Sequence, residues 1–186
     1  MTNNSQIMSD ARASLNGKWP RAIGTFLIAF LISLGVSLIP YAGQIIYFLV
    51  TAPLVVGISF FALKIARDQD PKTDDLFFSF NNNFGNAILA NLLVGIFAFI
   101  GFILLIIPGI IVSLALSQTW FILAENPSMG SYEAIIKSKD MMKGYKWQYF
   151  KIGLRLLLLG LLCLLTLGIG FLWLMPYQYV VYAKFY

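Results

Sequence analysis

The chain has 186 residues, of which 59% are hydrophobic and 11% charged, with a net charge of +5 and a mean hydropathy of +0.80. Soluble domains carry about 25% charged residues, and one of this size buries only about 70% of its unfolded surface, so the composition excludes an ordinary water-soluble fold. Histidine is absent and cysteine occurs once, at Cys163. An internal disulfide is therefore excluded, and the commonest general base and metal ligand is missing.

Three long stretches contain no Asp, Glu, Lys or Arg: 22–63, 76–124 and 156–183. The first two are roughly twice the ~20 apolar residues that one membrane crossing requires. Near the middle of the stretches lie Pro40, Pro108 and the glycines of 168–170, which break helices or permit left-handed backbone. Each stretch therefore predicts a helical hairpin.

We accordingly predict an all-α polytopic membrane protein, a single membrane domain over 1–186 with six transmembrane helices in three hairpins, 22–63, 86–124 and 148–186. The spans are placed at 22–39, 44–63, 86–106, 110–124, 148–167 and 171–185. The fourth and sixth are short for a ~30 Å hydrocarbon core, so they need local thinning or do not fully cross. Whether the three hairpins are true repeats or only similar is left open.

Three polar segments precede the hairpins. The N-terminal segment 1–21 is expected to carry a short amphipathic helix. In 73–85, Thr73 and two aspartates can cap a helix whose apolar face carries Leu76, Phe80 and Phe84. In 131–144, a broad apolar side with Ala134 and Ile135 is opposed by lysines. We predict that 73–85 and 131–144 are cytoplasmic helices lying on the membrane surface.

The basic residues set the expected orientation. Lys and Arg occur in the polar segments and close to them, and the three predicted turns carry none, so both termini are expected to be cytoplasmic. The densest basic patch is the candidate contact for anionic lipid headgroups. Its members are Lys137, Lys139, Lys143, Lys146 and Lys151. The alternative is that these lysines only fix the topology.

Within the predicted spans, ionisable residues are absent near the midplane, which disfavours an ion or proton path. Gln118 and Gln178 each lie about ten residues past their turn and are candidate intramembrane polar contacts. They either form hydrogen bonds between helices or line a path for a neutral or lipidic substrate. An enclosed polar cavity lined by both would favour transport.

The sequence contains no motif that indicates an enzyme. No nucleophile motif or glycine-rich phosphate loop is present, so we expect no enzyme activity and no cofactor. The aspartates of 68–75 could in principle hold a divalent ion, but Pro71 and Lys72 interrupt them. A solvated loop and helix cap is the better interpretation, and no metal site is predicted.

Several motifs have a familiar form. The most specific are Ile-Leu-Ala-Glu-Asn-Pro at 122–127, Met-x-Gly-x-Lys-Trp at 142–147 and Leu-Thr-Leu-Gly-Ile-Gly-x-Leu-Trp-Leu-x-Pro-Tyr at 165–177. With Ile-Pro-Gly-Ile-Ile at 107–111, they resemble, over nearly the whole chain, a bacterial family known as domain of unknown function nine-seven-five. The resemblance implies a six-helix protein of the bacterial cytoplasmic membrane, distantly similar to the membrane portion of some glycerophosphodiester phosphodiesterases. It implies no established activity.

Three functions follow as hypotheses. The first is a non-enzymatic protein that contacts lipids, or serves as an accessory or scaffold, at the inner leaflet. The second is a transporter or scramblase-like protein for neutral or amphipathic substrates. The third is a membrane module associated with a lipid-modifying enzyme. Membrane lipids with anionic headgroups are the expected partners, a protein partner or a homo-oligomer is left open, and no nucleic-acid partner is expected.

Overall fold

In the computed structural model, which describes residues 3–40 and 43–186, every regular element is a helix. The all-α prediction is confirmed. The helices are α1 Asn4–Ser14, α2 Trp19–Ser37, α3 Gly43–Ala66, α4 Phe78–Asn82, α5 Phe84–Leu104, α6 Ile106–Leu116, α7 Thr119–Glu125, α8 Ser131–Met141, α9 Lys146–Leu165 and α10 Phe171–Phe185. A 3₁₀ helix, Thr73–Phe77, precedes α4.

Five segments of the described chain are long and apolar enough to cross a membrane: α2, α3, α5, the consecutive α6 and α7, and α9. They contain 19 to 24 residues, or roughly 28–36 Å at 1.5 Å per residue. The chain is thus a multi-pass membrane protein. The sixth predicted span corresponds to α10, whose 15 residues reach only about 22 Å. By this criterion five of the six predicted spans are supported.

The turn of the second hairpin lies earlier than the sequence predicts. The backbone is extended at Leu105, and Pro108 stands inside the first turn of α6. Proline is tolerated there because the first amide groups of a helix have no partner within it. Gly109 packs closely against Gly101 of α5, since a Cβ on Gly101 would lie 3.0 Å from the Gly109 Cα. The predicted turn residues 107–109 therefore begin the returning helix.

The other two turns lie between the expected helices. In the first hairpin α2 ends at Ser37 and α3 begins at Gly43, and the predicted turn residues Tyr41 and Ala42 lie outside the described residues. In the third, Leu167 and Gly168 have positive φ angles of 53° and 85°. Left-handed backbone at the end of a helix is the usual way to stop it, which explains why α9 ends at Leu165.

The protein core lies at the end of the bundle where the charged segments meet. The buried residues of α2 stop at Ala29, and those of α9 stop at Leu156, near the middle of that helix. Helices α3 and α10 are central: α3 packs against α2, α5, α7 and α10. At the opposite end large apolar side chains are exposed, with Leu105 at 69% and Leu167 at 94%. This uncharged end presents an apolar surface suited to lipid.

Residues 73–85 differ from the predicted continuous helix. The 3₁₀ helix and α4 cover 73–82, and Phe84 already begins α5. Leu76 is fully buried against α3, where a Cβ on Gly57 would lie 2.6 Å from the Leu76 carbonyl carbon. The apolar residue at the start of the predicted face therefore packs on protein, because the missing side chain of Gly57 lets the two backbones approach.

Helix α8 also packs on protein more than the sequence predicts. Its buried residues include Ala134, Ile135 and Ser138, and it contacts α5, α6 and α7. The Ser131 hydroxyl donates to the Asn86 carbonyl oxygen over 2.8 Å, which fixes the start of α8 beside the start of α5. The apolar side of 131–144 thus contributes to the core, and its lysines face outward.

Candidate functional site

Ion pairs hold the charged ends of the helices together. Lys64 pairs with Asp75 over 2.7 Å, Arg67 with Glu125 over 2.6 Å, and Arg21 with Asp70. Lys18, just before α2, also lies 4.0 Å from Asp68. Three of the four aspartates in 68–75 are therefore paired with cations. Among the residues that the structure describes, no group of three or more Asp, Glu, Cys or His side chains could hold a metal ion.

Glu125 ties three helices at this end. Its carboxylate pairs with Arg67 just after α3 and accepts a hydrogen bond from the Tyr186 hydroxyl just after α10, while Glu125 itself ends α7. Charge-assisted hydrogen bonds of this kind are about twice as strong as neutral ones. Glu125 belongs to one of the motifs that carry the resemblance, and its observed contacts are structural.

The five candidate lipid-contact lysines lie on α8, on the turn after it and on the start of α9; we call them the lysine surface. Lys139, Lys143 and Lys151 are exposed, and Lys137 and Lys146 are half-buried. Only Lys143 forms an ion pair within the described ranges, with Asp140 over 2.7 Å. The hydrogen bond from Lys143 lowers the pKa of the Asp140 carboxyl group below its ordinary value. The other four lysines form no ion pair in the described ranges, and Lys137 is close enough to Glu125, and Lys139 to Asp140, to help lower the pKa of each carboxyl group.

Lys146 stands at an apolar groove between α6 and α9, which we call the Lys146 groove. Its volume is about 310 Å³. Trp147 and Phe150, whose rings stack with centroids 5.4 Å apart, line it from α9. The remaining lining residues are Ile107, Ile110, Ile111 and Leu114 of α6. A cation next to a hydrocarbon wall matches the two parts of an anionic lipid.

Gln118 lies between α6 and α7 with only 1% of its surface exposed. Its backbone amide donates to the Ser138 hydroxyl over 3.1 Å, and that hydroxyl donates to the Ala115 carbonyl oxygen over 2.9 Å. These bonds join α8 to the break between α6 and α7. The Gln118 side-chain oxygen is buried and has no hydrogen-bond partner in the described part of the chain.

Gln118 also borders a cavity of about 410 Å³ near the ends of α8 and α10. Tyr145, Gln148 and Lys184 are among its polar lining residues. Gln178 does not line this cavity. The structure therefore does not place the two predicted glutamines around one cavity.

Some residues that organise this end of the protein are not indicated by any local sequence pattern. Buried Asn83 donates to the Leu123 carbonyl oxygen over 2.9 Å and accepts from the Ser79 hydroxyl over 2.6 Å. It therefore joins the α4–α5 junction to α7. Asn83 follows two other asparagines in the sequence, and nothing local distinguishes it from them.

The family model described as "Protein of unknown function (DUF975)" matches residues 1–108 and 96–186, which together cover the whole chain. The chain belongs to this family. No curated protein and no solved structure matches it.

Proposed function

We propose that this DUF975 protein is a non-enzymatic protein of the bacterial cytoplasmic membrane that binds anionic lipid headgroups at the inner leaflet through its lysine surface. Both termini and the charged segments face the cytoplasm, and the three uncharged turns face outward. In this arrangement α10 completes a third hairpin with α9, as a short sixth membrane helix. The observation that carries the proposal is the Lys146 groove.

The order of charged, aromatic and apolar residues along the Lys146 groove supports lipid binding. Lys146 is the first residue of α9, Trp147 follows it, and apolar residues of α6 form the opposite wall. Trp is enriched at the membrane–water interface, where its ring lies at the level of the headgroups. An anionic phosphate at Lys146 would leave an acyl chain against the apolar wall.

The unpaired lysines add long-range attraction. Each Lys near an anionic surface contributes about 1 kcal/mol, which corresponds to about a five-fold preference for an anionic over a zwitterionic lipid. Lys143 contributes less because Asp140 pairs with it. The lysine surface therefore favours anionic lipid chiefly through Lys139, Lys146 and Lys151.

Quenching of Trp147 by brominated lipid tests the proposal. In a variant that keeps Trp147 and replaces the other three tryptophans with Phe, dibrominated phosphatidylglycerol should quench more strongly than dibrominated phosphatidylcholine in mixed vesicles. Lys146→Gln should lower this preference about five-fold, and the control Lys143→Gln should lower it less. Equal quenching by both lipids in the unmodified lysine background would refute the proposal.

Transport is the second candidate, favoured by the cavity at Gln118. The buried Gln118 amide oxygen, which has no hydrogen-bond partner among the described residues, lies at the wall of a cavity that also contains tyrosine and lysine side chains. Vesicles containing the protein would then show lipid flip or solute leak, and Gln118→Leu would abolish it. If vesicles with and without the protein behave alike across a panel of neutral and amphipathic substrates, this candidate fails.

The sequence motifs suggested a distant resemblance to the membrane portion of some glycerophosphodiester phosphodiesterases, which the comparisons do not show. We propose on that basis alone a third candidate, a membrane module that accompanies a lipid-modifying enzyme. We expect the purified protein alone not to hydrolyse glycerophosphodiesters or phospholipids. Release of glycerol phosphate or of a lipid headgroup alcohol would contradict the proposal of a non-enzymatic protein.

A further inference from the structure

A second groove lies on the α9–α10 hairpin, away from the Lys146 groove; we call it the Arg12 groove. Its volume is about 510 Å³. Arg12 of α1 and Trp19 of α2 line one part of it, and residues of α9 and α10 form its walls. The groove therefore joins the polar N-terminal segment to an apolar hairpin.

A specific contact places Arg12 at the groove. The Tyr177 hydroxyl of α10 donates to the Met8 carbonyl oxygen over 3.1 Å, and Met8 lies one turn before Arg12 on α1. Helix α1 packs along α10 with Ile7 and Ala11 buried. This packing holds the helix that carries Arg12 against the side of the hairpin.

Arg12 is exposed, and in the ranges 3–40 and 43–186 no carboxylate lies within ion-pair distance of it. The two hydroxyl groups of the groove, on Thr166 and Tyr177, already have hydrogen-bond partners. The Thr166 hydroxyl donates to the Cys163 carbonyl oxygen over 2.7 Å and accepts from the Gly170 amide over 3.0 Å. Arg12 is thus the charged group of the groove and has no partner there.

The remaining walls are apolar. They consist of Leu159, Leu162, Cys163, Trp173 and Leu174. Trp173 lies four residues before Tyr177 on α10, or about 6 Å farther toward the uncharged end. One end of the groove therefore has a cation beside Trp19 and Tyr177, and the other end has a hydrocarbon wall. A phospholipid has the same order of groups, from its phosphate to its acyl chain.

We infer that the Arg12 groove holds one anionic phospholipid of the inner leaflet, with its phosphate at the Arg12 guanidinium and an acyl chain against α9 and α10. The inference rests on the orientation given in the proposed function but concerns a different site. Guanidinium presents paired N–H donors that match phosphate oxygens. Charge complementarity selects an anionic lipid over a neutral one, and the apolar wall selects a lipid over free phosphate.

Quenching of Trp173 tests the inference. The reporter protein keeps Trp173 and carries Phe at the other three tryptophans; the probes are phosphatidylglycerol and phosphatidylcholine brominated in the middle of the acyl chain. We expect phosphatidylglycerol to quench preferentially at a low mole fraction, and Arg12→Gln to reduce that preference about five-fold. The control Lys72→Gln removes the same charge from an exposed position between α3 and the 3₁₀ helix, outside the groove lining, and should leave the Trp173 preference unchanged.

Native mass spectrometry of the protein with all its tryptophans gives a second measurement that does not depend on the Phe replacements. After detergent exchange the protein should retain one more phosphatidylglycerol than the Arg12→Gln variant. No lipid preference at Trp173, or a preference that Arg12→Gln does not alter, overturns the inference. Because Trp147 reports on the Lys146 groove, loss of selectivity at Trp173 alone leaves the proposed function standing, and loss at Trp147 alone refutes the proposed function only.

Discussion

Replacing Gly57 by Ala tests the packing of the 3₁₀ helix on α3. A Cβ at this position would overlap the Leu76 carbonyl oxygen and lie 2.6 Å from its carbon and 3.1 Å from the Leu76 Cα. Ordinary van der Waals contact begins at 3.4 Å, so the Leu76 carbonyl carbon has to move by at least about 0.8 Å. Because the obstacle is backbone, no change of rotamer can relieve it.

The expected cost is about 1–3 kcal/mol, the usual range for overpacking. Leu76 is fully buried beside Ala29 and Leu54, so its displacement also loosens that cluster. The control is Gly95→Ala in α5, where an added Cβ meets nothing within 4 Å. Both variants gain the same helix propensity of up to about 1 kcal/mol, so the difference between them isolates the steric cost.

The measurement is the unfolding temperature in detergent, followed by tryptophan fluorescence. For a chain of this size 1 kcal/mol corresponds to about 2–4 °C, so Gly57→Ala should unfold about 2–12 °C below Gly95→Ala. Limited proteolysis should also show earlier cleavage within 67–83 in Gly57→Ala. Equal unfolding temperatures for the two variants would refute the close approach of Leu76 to α3.

Two buried polar residues give further predictions. Asn83→Ala should lower the free energy of unfolding by about 1–3 kcal/mol, because it leaves the Leu123 carbonyl oxygen without its donor. The control Asn81→Ala, at an exposed position, should change the free energy of unfolding by less than about 0.5 kcal/mol. Chemical denaturation of both variants measures the difference. Ser138→Ala should lower the free energy of unfolding by about 1–3 kcal/mol, because it removes the hydrogen-bond partner of the buried Gln118 backbone amide. Faster hydrogen exchange at the Gln118 amide would show that this bond is lost. Unchanged exchange there would contradict the assigned link between α8 and the α6–α7 break.

The long apolar helices were predictable because a charge inside a bilayer is costly, so stretches without charges mark the spans. The turn of the second hairpin was misplaced because Pro108 is compatible with two positions. Proline either interrupts a helix or occupies its first turn, and local sequence does not choose between them. The choice depends on the close packing of Gly101 on Gly109, which is a tertiary contact.

The local sequence pattern also does not indicate whether an amphipathic face packs on lipid or on protein. The sequence predicts an apolar face beginning at Leu76, but a lipid surface and a protein groove satisfy that pattern equally well. The groove exists because Gly57, nineteen residues earlier, has no side chain. Likewise the Arg12 groove combines α1, α2, α9 and α10, and no spacing within one segment indicates that Arg12 lies beside Tyr177.

The orientation of the charged end tests the account most directly. Two single-cysteine proteins, Lys139→Cys and Leu167→Cys in a Cys163→Ala background, place a thiol on the lysine surface and on the most exposed apolar turn. With a membrane-impermeant maleimide added to intact bacterial cells, we predict labelling at position 167 and labelling at position 139 only after permeabilisation. Labelling at position 139 in intact cells would contradict the cytoplasmic lysine surface and the lipid binding derived from it.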